Sequence, residues 1–466
     1  MIEKKQFIET YFEDCSGLAG GEADAVYIPE SVEEVSEFMR NCYEKRILVT
    51  VSGGRSGLVG GAVPQGGVIL STEHLKKIEI KEETALLQAG VTLSEFENAL
   101  SGSGLFYPPD PTEKNAAIGG MIATDASGGR GFYYGRTRVY IVSLRVALSD
   151  GSLVNLRRGN TKERDGFIEI NGNKIPCASY DMPPVKTAAG YFSKKGMDAV
   201  DILAGSEGTL AIICEAQVRL LKKPHFSVLA AFFAEENIIE TVEKLKDPKL
   251  DVVSVEYFDS NSLKLAFRDF PAMPANAGSA LFIEKKGQYL DDLARVLEES
   301  EALLDVFVAD DGRRKELFRN FRHSVPEKIN EKMRARGLRK LGTDFAVPSG
   351  KFPEIFAFYK KTLEFSGMEY AIFGHIAESH LHINMMPENK REYEAARVIY
   401  AVLAEKIISS GGTISAEHGI GKIKREYLSM MYGQRIIHHM IETKKAADGR
   451  FLLGRGNIFL PEANIL

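Results

Sequence analysis

The pattern of apolar and polar residues divides the first part of the chain into short strands and intervening helices. Runs rich in β-branched residues, such as ILVTVSGG, GGVILS and ALLQAGV, are typical of strands that end in turns. Helices are predicted to begin at Ser31 and Thr92, because Glu34 and Glu95 follow them at capping-box spacing. This part of the chain is therefore predicted to be α+β.

A second pattern of predicted strands and helices begins near Lys222. Strand-like SVLAAFFA and DVVSVEYF alternate with amphipathic NIIETVEKLKD and LDDLARVLEESEALL, which predicts another α+β domain. A long helical pattern from Glu392 to Ser410 stops at Gly411 and Gly412, as a glycine C-cap would end it. More helical residues follow Arg425. The predicted domains cover residues 1–221, 222–424 and 425–466.

Composition narrows the class of protein. With 466 residues, 44% of them hydrophobic and 26% charged, the chain has the balance of a folded multidomain protein. A formal net charge of −5 provides no overall attraction to nucleic acid, so a nucleic-acid partner is disfavoured. No segment has the ~20 apolar residues of a membrane span, and no secretory signal is evident, so we expect a cytoplasmic protein without a transmembrane segment.

Three loops contain more glycine than chain reversal requires. They are SGGRSGLVGGAVP from Ser52, IGGMIATDASGGRGFYYG from Ile118 and GSEGTL from Gly205. Glycine lets consecutive main-chain amides converge on an anion, although each loop taken singly is more often a tight turn. Neither G-x-G-x-x-G after a strand nor G-x-x-x-x-G-K-[ST] occurs, which argues against a Rossmann site and a P-loop.

Histidines are concentrated in one short region. Three of the chain's nine lie in GHIAESHLHIN, at His375, His380 and His382, and His418 follows Glu417 in ISAEHGIGK. On a strand, positions 380 and 382 would point to the same face. Metal binding is then feasible; the alternative is that these are hydrogen-bonded core histidines.

The three glycine loops, in this order and together with PPDPTEKNAAIGG from Pro108, resemble the FAD-linked oxidases of the vanillyl-alcohol oxidase superfamily. Within it the chain is most similar to the group of D-lactate dehydrogenase, glycolate oxidase large subunit and D-2-hydroxyglutarate dehydrogenase. The resemblance implies an α+β fold, with a two-subdomain FAD-binding domain of the p-cresol methylhydroxylase type over 1–221 and an α+β, ferredoxin-like substrate or cap domain over 222–424. Residues 425–466 would return to the FAD domain.

The resemblance also implies an FAD site made largely of main-chain groups. Several relatives attach FAD covalently through a histidine where this chain has Arg55, so non-covalent FAD is expected. The family usually has asparagine at the position of Asp125, and an Asn-Pro-Gly-Lys run at Gly454 to Asn457. The implied FAD neighbours are Ser52, Gly53, Gly54, Arg55, Ser56, Gly57, Pro109, Asp110, Gly119, Gly120, Thr124, Ser127, Gly128, Tyr134, Gly135, Gly205, Ser206, Glu207 and Gly208.

Metal-containing relatives use a GH-x6-H pattern and the glutamate of an EHG segment, which match His375, His382 and Glu417. Two imidazoles and a carboxylate suit zinc, manganese or ferrous iron, and zinc is our first choice because it commonly keeps a position open for substrate. Where relatives read GDGN, this chain reads Ala377 to His380, Ala-Glu-Ser-His.

Catalytic and substrate-binding residues follow from the same resemblance. His418 matches the family's catalytic base, since an imidazole titrates near neutral pH. Arg322 matches an arginine that binds the substrate carboxylate, with an ordinary surface arginine as the alternative. Asn384 matches a family asparagine near the substrate. His380 is expected to add a metal ligand, to hydrogen-bond the substrate, or only to occupy the position of the family's asparagine. Lys340 and Asp344 lie in a further family segment, RKLGTDFAVP, without an assigned contact.

The expected reaction is oxidation of a small D-2-hydroxy acid, of the D-lactate, D-2-hydroxyglutarate or glycolate type, with hydride transfer to flavin N5. The chain lacks a nicotinamide fingerprint and a CxxC pair, so the next electron acceptor is expected to be another protein or a quinone. A homodimer is the plainest expectation for assembly. The alternatives are a flavin-binding subunit that depends on partner proteins, a metal-dependent hydrolase, and an ether-forming flavoprotein similar to alkyl-glycerone-phosphate synthase.

Overall fold

The computed structural model describes residues 8–268, 270, 272–309 and 311–460. Its first part, up to residue 222, has two main sheets. The elements are β1 (Ala25–Tyr27), α1 (Val32–Lys45), β2 (Val49–Ser52), β3 (Val68–Ser71), β4 (Ile78–Lys81), β5 (Thr84–Gln88), α2 (Leu93–Ala99), β6 (Leu105–Phe106), α3 (Ile118–Ala123), α4 (Gly131–Tyr134), β7 (Ile141–Ala147), β8 (Leu153–Arg157), β9 (Phe167–Ile170), β10 (Asn173–Pro176), α5 (Ala199–Leu203), β11 (Ile212–Arg219) and β12 (Leu221–Lys222).

The first sheet is parallel, with strand order β1-β3-β2, and α1 packs on it through an apolar face. Helix α1 begins where the sequence predicts: the Ser31 side chain accepts a hydrogen bond from the Glu34 amide at 3.2 Å. The second sheet is antiparallel, with order β4-β5-β11-β7-β8. The predicted capping box at Thr92 and Glu95 is present at the start of α2.

The second part of the chain forms one large antiparallel sheet with helices on its faces. Its strand order is β16-β13-β15-β14-β19-β20-β17, and β18 also pairs with β20. The elements are β13 (Phe226–Phe233), α6 (Ile239–Leu245), β14 (Val252–Asp259), α7 (Ser260–Ala266), β15 (Ser279–Lys286), α8 (Asp291–Glu298), β16 (Leu303–Ala309), α9 (Gly312–Ala335), β17 (Leu341–Gly342), β18 (Phe345–Ala346), α10 (Phe352–Ser366), β19 (Tyr370–Gly374), β20 (His380–Met385), α11 (Lys390–Ser409) and α12 (Arg425–Ala447). Short 3-10 helices cover Ile8–Tyr11, Thr137–Tyr140, Pro248–Leu250, Ser349–Lys351 and Ile376–Glu378.

Strand β14 is buried along its whole length because the sheet is covered on both faces. On one face Phe258 packs against Phe282 and Phe321, each with ring centroids 5.3 Å apart. On the other face Tyr257 meets Phe356 of α10 at 5.7 Å. Central strands of this sheet therefore carry near-continuous apolar runs, and a charged residue among them has to be paired.

Helix α11 begins slightly earlier than predicted, because the Asn389 side chain accepts a hydrogen bond from the Glu392 amide at 3.0 Å. It ends as predicted before Gly411, whose φ is 76°. Helix α12 is interrupted at Gly433 (φ 75°, ψ 161°). Among the residues that the structure describes, no helix is long and apolar enough to cross a lipid bilayer.

The segment after α12 lies against the first part of the chain. The Val49 amide donates to the Leu452 carbonyl at 2.8 Å, which adds the segment to the edge of the parallel sheet. The side-chain amide of Asn457 donates to the carbonyls of Gly61 and Glu207, both at 3.0 Å. The C-terminal segment thus joins the first and third glycine loops.

Candidate active site

Four histidines and one glutamate converge at one end of the large antiparallel sheet in the second part of the chain. His375 follows β19, His380 and His382 stand on β20, and Glu417 and His418 lie in the loop before α12. One ligand atom each from His375, His380, His382 and Glu417 lies within 4.8 Å of the others. The β19–β20 pairing and the alternation of side chains along β20 bring the three histidines together, and the loop before α12 adds Glu417 and His418 from further along the chain.

A single carboxylate oxygen faces three imidazoles in this cluster. Glu417 Oε1 lies 3.4 Å from His375 Nε2, 3.6 Å from His382 Nε2 and 3.8 Å from His418 Nε2. His382 Nδ1 lies 3.1 Å from the Thr343 carbonyl, which leaves Nε2 of that ring to face inward. Two imidazole nitrogens and one carboxylate oxygen form a donor set that fits a divalent transition-metal ion, and His375, His382 and Glu417 could hold one.

The second oxygen of Glu417 is engaged by the first part of the chain. Glu417 Oε2 lies 2.8 Å from Lys186 Nζ and accepts a hydrogen bond from the Ser127 hydroxyl at 3.2 Å. Lys186 is buried and also contacts Glu378, with its Nζ 2.9 Å from Oε2. Burial disfavours the charged form of Glu417, but Lys186 and then His375 outweigh it, so the pKa of Glu417 lies well below its usual range.

Asp344 organises the loop that carries Glu417 and His418. Its carboxylate accepts hydrogen bonds from the His418 amide at 2.9 Å and from Lys424 Nζ at 2.9 Å. Asp344 Oδ2 also lies 3.4 Å from His418 Nδ1, so the Nε2 of this ring faces the metal ligands. Burial lowers the pKa of His418 to about 4, so the ring is neutral near pH 7.

His380, at the position where the resemblance implies asparagine, is fully buried inside the cluster. Its ring centroid is 4.6 Å from that of His382, and its Nε2 lies 3.0 Å from Asp344 Oδ1. Burial, and then His382, lower the pKa of His380 to about 3. The extra imidazole is thus held in its neutral form.

The predicted substrate-binding residues lie beside the histidines. Asn384 is buried on β20, and its side-chain amide is 3.4 Å from the His382 carbonyl. Arg322 of α9 makes a two-pronged hydrogen bond with the Glu256 carboxylate of β14. Glu256 Oε1 is in turn 3.7 Å from His375 Nδ1, which connects Arg322 to the cluster.

The first glycine loop leaves main-chain donors free. Among the described residues, none accepts a hydrogen bond from the amides of Gly53 to Gly57, which follow β2. A Cβ at Gly54 would lie 2.3 Å from the Asn115 carbonyl oxygen, and one at Gly128, where φ is 79°, would lie 1.9 Å from that of Asp110. Glycine is therefore required for the approach of these loops to one another, and the free amides fit a phosphate-bearing cofactor.

The third glycine loop connects α3 to the loop of Glu417. The Gly205 and Glu207 amides donate to the carbonyls of Ile122 (2.9 Å) and Ala123 (2.8 Å) at the end of α3. The Glu207 carboxylate accepts hydrogen bonds from the amides of Ile420 (2.8 Å) and Gly421 (2.6 Å). Burial raises the pKa of Glu207 to about 7, and its hydrogen bonds join the predicted flavin loops to the predicted catalytic loop.

Several predicted FAD neighbours use their side chains within the protein. The Arg55 guanidinium stacks over the Tyr11 ring at 4.6 Å, and the Tyr134 ring contacts that of Phe106 at 5.5 Å. The remaining predicted neighbours lie at the end of β2, in the stretch that contains α3 and α4, or in the third loop: Ser52, Ser56, Gly57, Pro109, Asp110, Gly119, Gly120, Thr124, Ser127, Gly135, Ser206 and Gly208.

Asp125, at the position where the resemblance implies asparagine, is buried and paired. Its Oδ2 lies 3.2 Å from Arg136 Nη1 and 3.1 Å from Arg138 Nε. The Arg138 amide also donates to Asp125 Oδ1 at 2.8 Å. Two arginines therefore balance the additional negative charge at this position.

Comparison with protein families decides the class of the chain. The description "FAD binding domain" matches residues 23–157, and "FAD linked oxidases, C-terminal domain" matches residues 222–458. The chain belongs to the FAD-linked oxidases. The expected family and the expected cofactor FAD are thus confirmed, and the hydrolase alternative loses its basis.

Relatives of known name match along nearly the whole chain. It is 31% identical to the glycolate oxidase subunit GlcD of Bacillus subtilis, over 94% of this chain and 90% of the relative. It is 31% identical to a D-lactate dehydrogenase of Anaerostipes hadrus (92% and 88% covered) and 27% identical to a D-2-hydroxyglutarate dehydrogenase of Stutzerimonas stutzeri (93% and 90% covered).

Solved structures agree on the fold. That of p-cresol methylhydroxylase matches with a TM-score of 0.74 at 14% identity, over 99% of this chain and 94% of the other. An alkyldihydroxyacetonephosphate synthase matches with a TM-score of 0.70 at 16% identity, over 97% and 81%. The expected α+β fold of the p-cresol methylhydroxylase type is confirmed.

Sequence reasoning did not identify Lys186 and Glu256 as parts of this site. Both are charged residues in stretches without a recognisable motif, VKTAAG and VSVEYF. The one available signal for Glu256 was its position in an otherwise apolar strand, where a charge has to be paired.

Proposed function

We propose that the chain is an FAD-dependent dehydrogenase that oxidises a small D-2-hydroxy acid to the 2-oxo acid, with a divalent cation beside the flavin. The observation that carries the proposal is the meeting of Glu417, His375 and His382 next to His418. The names of the relatives, which act on D-lactate, glycolate or D-2-hydroxyglutarate, support the substrate class.

In this proposal Arg322 binds the substrate carboxylate, because a guanidinium offers paired donors to it. Asn384 and His380 line the same side of the site on β20. His418 removes the hydroxyl proton at Nε2, since its Nδ1 faces Asp344.

FAD, when bound, supplies the acceptor for the hydride that leaves the α-carbon. A cation held by His375, His382 and Glu417 would make the substrate hydroxyl more acidic, and Zn²⁺ is our first choice. We propose that FAD is held without a covalent bond, because Arg55 stands where several members elsewhere in the superfamily carry the histidine that attaches it. The FAD pyrophosphate would lie along the free amides of Gly53 to Gly57, and the flavin against Ser127 and Gly128.

The test is an anaerobic visible spectrum of the FAD- and metal-loaded protein before and after D-lactate, L-lactate, D-2-hydroxyglutarate or glycolate is added. Bleaching of the flavin band by a D-acid, and not by L-lactate, is the expected result. A flavin band that none of the four changes would contradict the proposed reaction.

A second candidate is a flavin-binding subunit that depends on partner proteins, because the relative from Bacillus subtilis is named a subunit of glycolate oxidase. Electrons would then pass from the flavin to another protein or to a quinone. Flavin reduction without turnover by artificial acceptors would favour this candidate.

Sedimentation of the purified chain would test the proposed homodimer at the same time.

A further inference from the structure

Glu256 is a buried carboxylate between two parts of the site. It lies on β14, and its side chain is 9% exposed. Its two oxygens accept hydrogen bonds from Nε and Nη2 of Arg322, and Oε1 is 3.7 Å from His375 Nδ1. One side chain is therefore adjacent both to the arginine assigned to the substrate and to a histidine assigned to the metal.

His375 needs a partner for its outer nitrogen. Its Nε2 faces Glu417 Oε1 at 3.4 Å, whereas its buried Nδ1 has no hydrogen-bond partner among the described residues. A histidine that binds a metal through Nε2 carries its proton on Nδ1, and a carboxylate or carbonyl usually accepts that proton. The Thr343 carbonyl has this position for His382 at 3.1 Å. For His375 the carboxylate beside Nδ1 is that of Glu256, whose Oε1 lies 3.7 Å away, within ion-pair range but longer than a hydrogen bond.

Arg322 is oriented by the same carboxylate. Because Nε and Nη2 point to Glu256, Nη1 remains without a hydrogen-bond acceptor among the described residues. A planar guanidinium bound along one edge presents its other edge in a defined direction. Glu256 thus determines which edge of Arg322 is available to a substrate carboxylate.

The FAD-binding part of the chain also constrains Glu256. A Cβ at Gly129 would lie 2.7 Å from Glu256 Oε1 and 3.4 Å from Arg322 Nη2. Gly129 immediately follows Ser127 and Gly128, two of the predicted FAD neighbours. The glycine leaves room for the carboxylate at the boundary between the two parts of the chain.

We propose that Glu256 is a positioning residue that holds Arg322 and His375 in a single arrangement, and so couples substrate binding to metal binding. The inference rests on the proposed function. It predicts that loss of the Glu256 charge weakens both kinds of binding, whereas loss of Arg322 weakens only substrate binding.

The test compares Glu256→Gln with Arg322→Gln and with a matched control, Glu284→Gln. Glu284 stands on the neighbouring strand β15 and accepts the same two-pronged bond from Arg130 (2.7 and 2.9 Å), and among the described residues it contacts none of the site's histidines. Each FAD-loaded protein is stripped of metal and titrated with Zn²⁺ against a chromogenic chelator, and KM and kcat are measured separately with the most active D-2-hydroxy acid.

Glu256→Gln is expected to weaken zinc binding about 10- to 100-fold, the usual cost of losing a partner of a metal-binding histidine, and to raise KM. Arg322→Gln is expected to raise KM without changing zinc affinity, and Glu284→Gln to leave zinc affinity unchanged. If Glu256→Gln bound zinc as tightly as the wild type, the inference would be wrong.

Removing one member of a buried ion pair leaves the other charge unpaired, and Glu256→Gln could fail to fold for that reason. The double variant Glu256→Gln/Arg322→Gln removes both charges and must show the same loss of zinc affinity. A wild-type chain that binds zinc but is reduced by no 2-hydroxy acid would refute the proposed reaction while leaving the zinc comparison valid. A wild-type chain that binds no Zn²⁺, Mn²⁺ or Fe²⁺ would overturn this inference.

Discussion

The glycine loops and the histidine cluster meet at the same boundary, but they are built in opposite ways. The loops present main-chain amides, and their side chains are small or, like Arg55, turned to other partners. The cluster is made of side chains, and almost every charged atom in it is paired, with Lys186 and Asp344 as central members.

The glycine loops therefore suit the binding of a cofactor, whereas the histidine cluster suits the chemical step. Free amides at fixed positions suit a phosphate whatever the pH, because they do not titrate. Imidazoles and carboxylates can exchange protons and bind cations, but burial shifts their pKa values and each needs a partner. Substitutions in the glycine loops should therefore weaken FAD binding, whereas substitutions in the histidine cluster should impair metal binding or flavin reduction.

The largest effect is expected from His382→Ala. One of three proposed metal ligands is removed, so zinc should be lost and flavin reduction by substrate should fall at least ~10³-fold, equivalent to several kcal/mol. The flavin spectrum should be unchanged, because the glycine loops are intact. Metal analysis and anaerobic stopped-flow measure the two effects, and a variant that kept its zinc would refute the ligand assignment.

His418→Ala should slow flavin reduction about 10²- to 10⁴-fold through loss of the base, with FAD and zinc still bound. His438→Ala is the matched control, because His438 is an exposed histidine of α12 that pairs with Glu442. Rapid reduction of the flavin in the His418 variant would assign the base to another group.

Gly120→Ala tests the second glycine-rich segment, which is predicted to bind FAD. A Cβ at Gly120 meets no protein atom within 4 Å, and the residue is helical, so the FAD-free protein should be as stable as the wild type or slightly more stable. If FAD lies over this helix, its affinity should fall about tenfold, or about 1.4 kcal/mol. Gly350→Ala, equally free of neighbours, is the control, and equal FAD affinity in both variants would place FAD elsewhere.

His380→Asn should alter the pH dependence of folding. The pKa of His380 is lowered to about 3 by burial, against 6.5 for an unperturbed histidine, so the unfolded chain takes up the proton first. The neutral ring therefore stabilises the fold above pH 6.5, and this contribution is lost as the pH falls. Between pH 6.5 and 5 the metal-free wild type should lose about 2 kcal/mol that the variant keeps. Urea unfolding of both metal-free proteins at pH 6.5 and pH 5 measures this difference. An equal loss of unfolding free energy in the wild type and the variant would contradict the prediction.

The smallest effect is expected from Thr92→Ala, which removes the capping box of α2. The free energy of unfolding should fall by about 1 kcal/mol, with no change in the flavin spectrum or in zinc binding. Thr92→Ser keeps the hydroxyl and should restore most of the stability. A change in FAD affinity in the alanine variant would show that α2 contributes to the cofactor site.

Local signals in the sequence correctly predicted the starts of α1 and α2 and the end of α11. Capping residues act within a few positions of themselves, so their effect can be recognised without a fold. The glycine loops were equally visible. Helix α11 begins at Lys390, two residues before the predicted start, because Asn389 caps it.

The partners within the site could not be predicted in the same way. Glu256 and Arg322 are 66 residues apart, and Lys186 and Glu378 are 192 apart. No periodic pattern relates such positions, and a charged residue looks alike in sequence whether it is solvated or buried.

The sequence by itself determined the family, the order of the glycine loops and the set of histidines available for chemistry, because these depend on residue type and short spacing. Only the tertiary structure decided that one oxygen of Glu417 faces three imidazoles while Lys186 and Ser127 engage the other. The same holds for Glu256 between Arg322 and His375. The reason is physical: burial makes an unpaired charge costly, so each charged group in the site is defined by partners that only folding brings within a few ångströms.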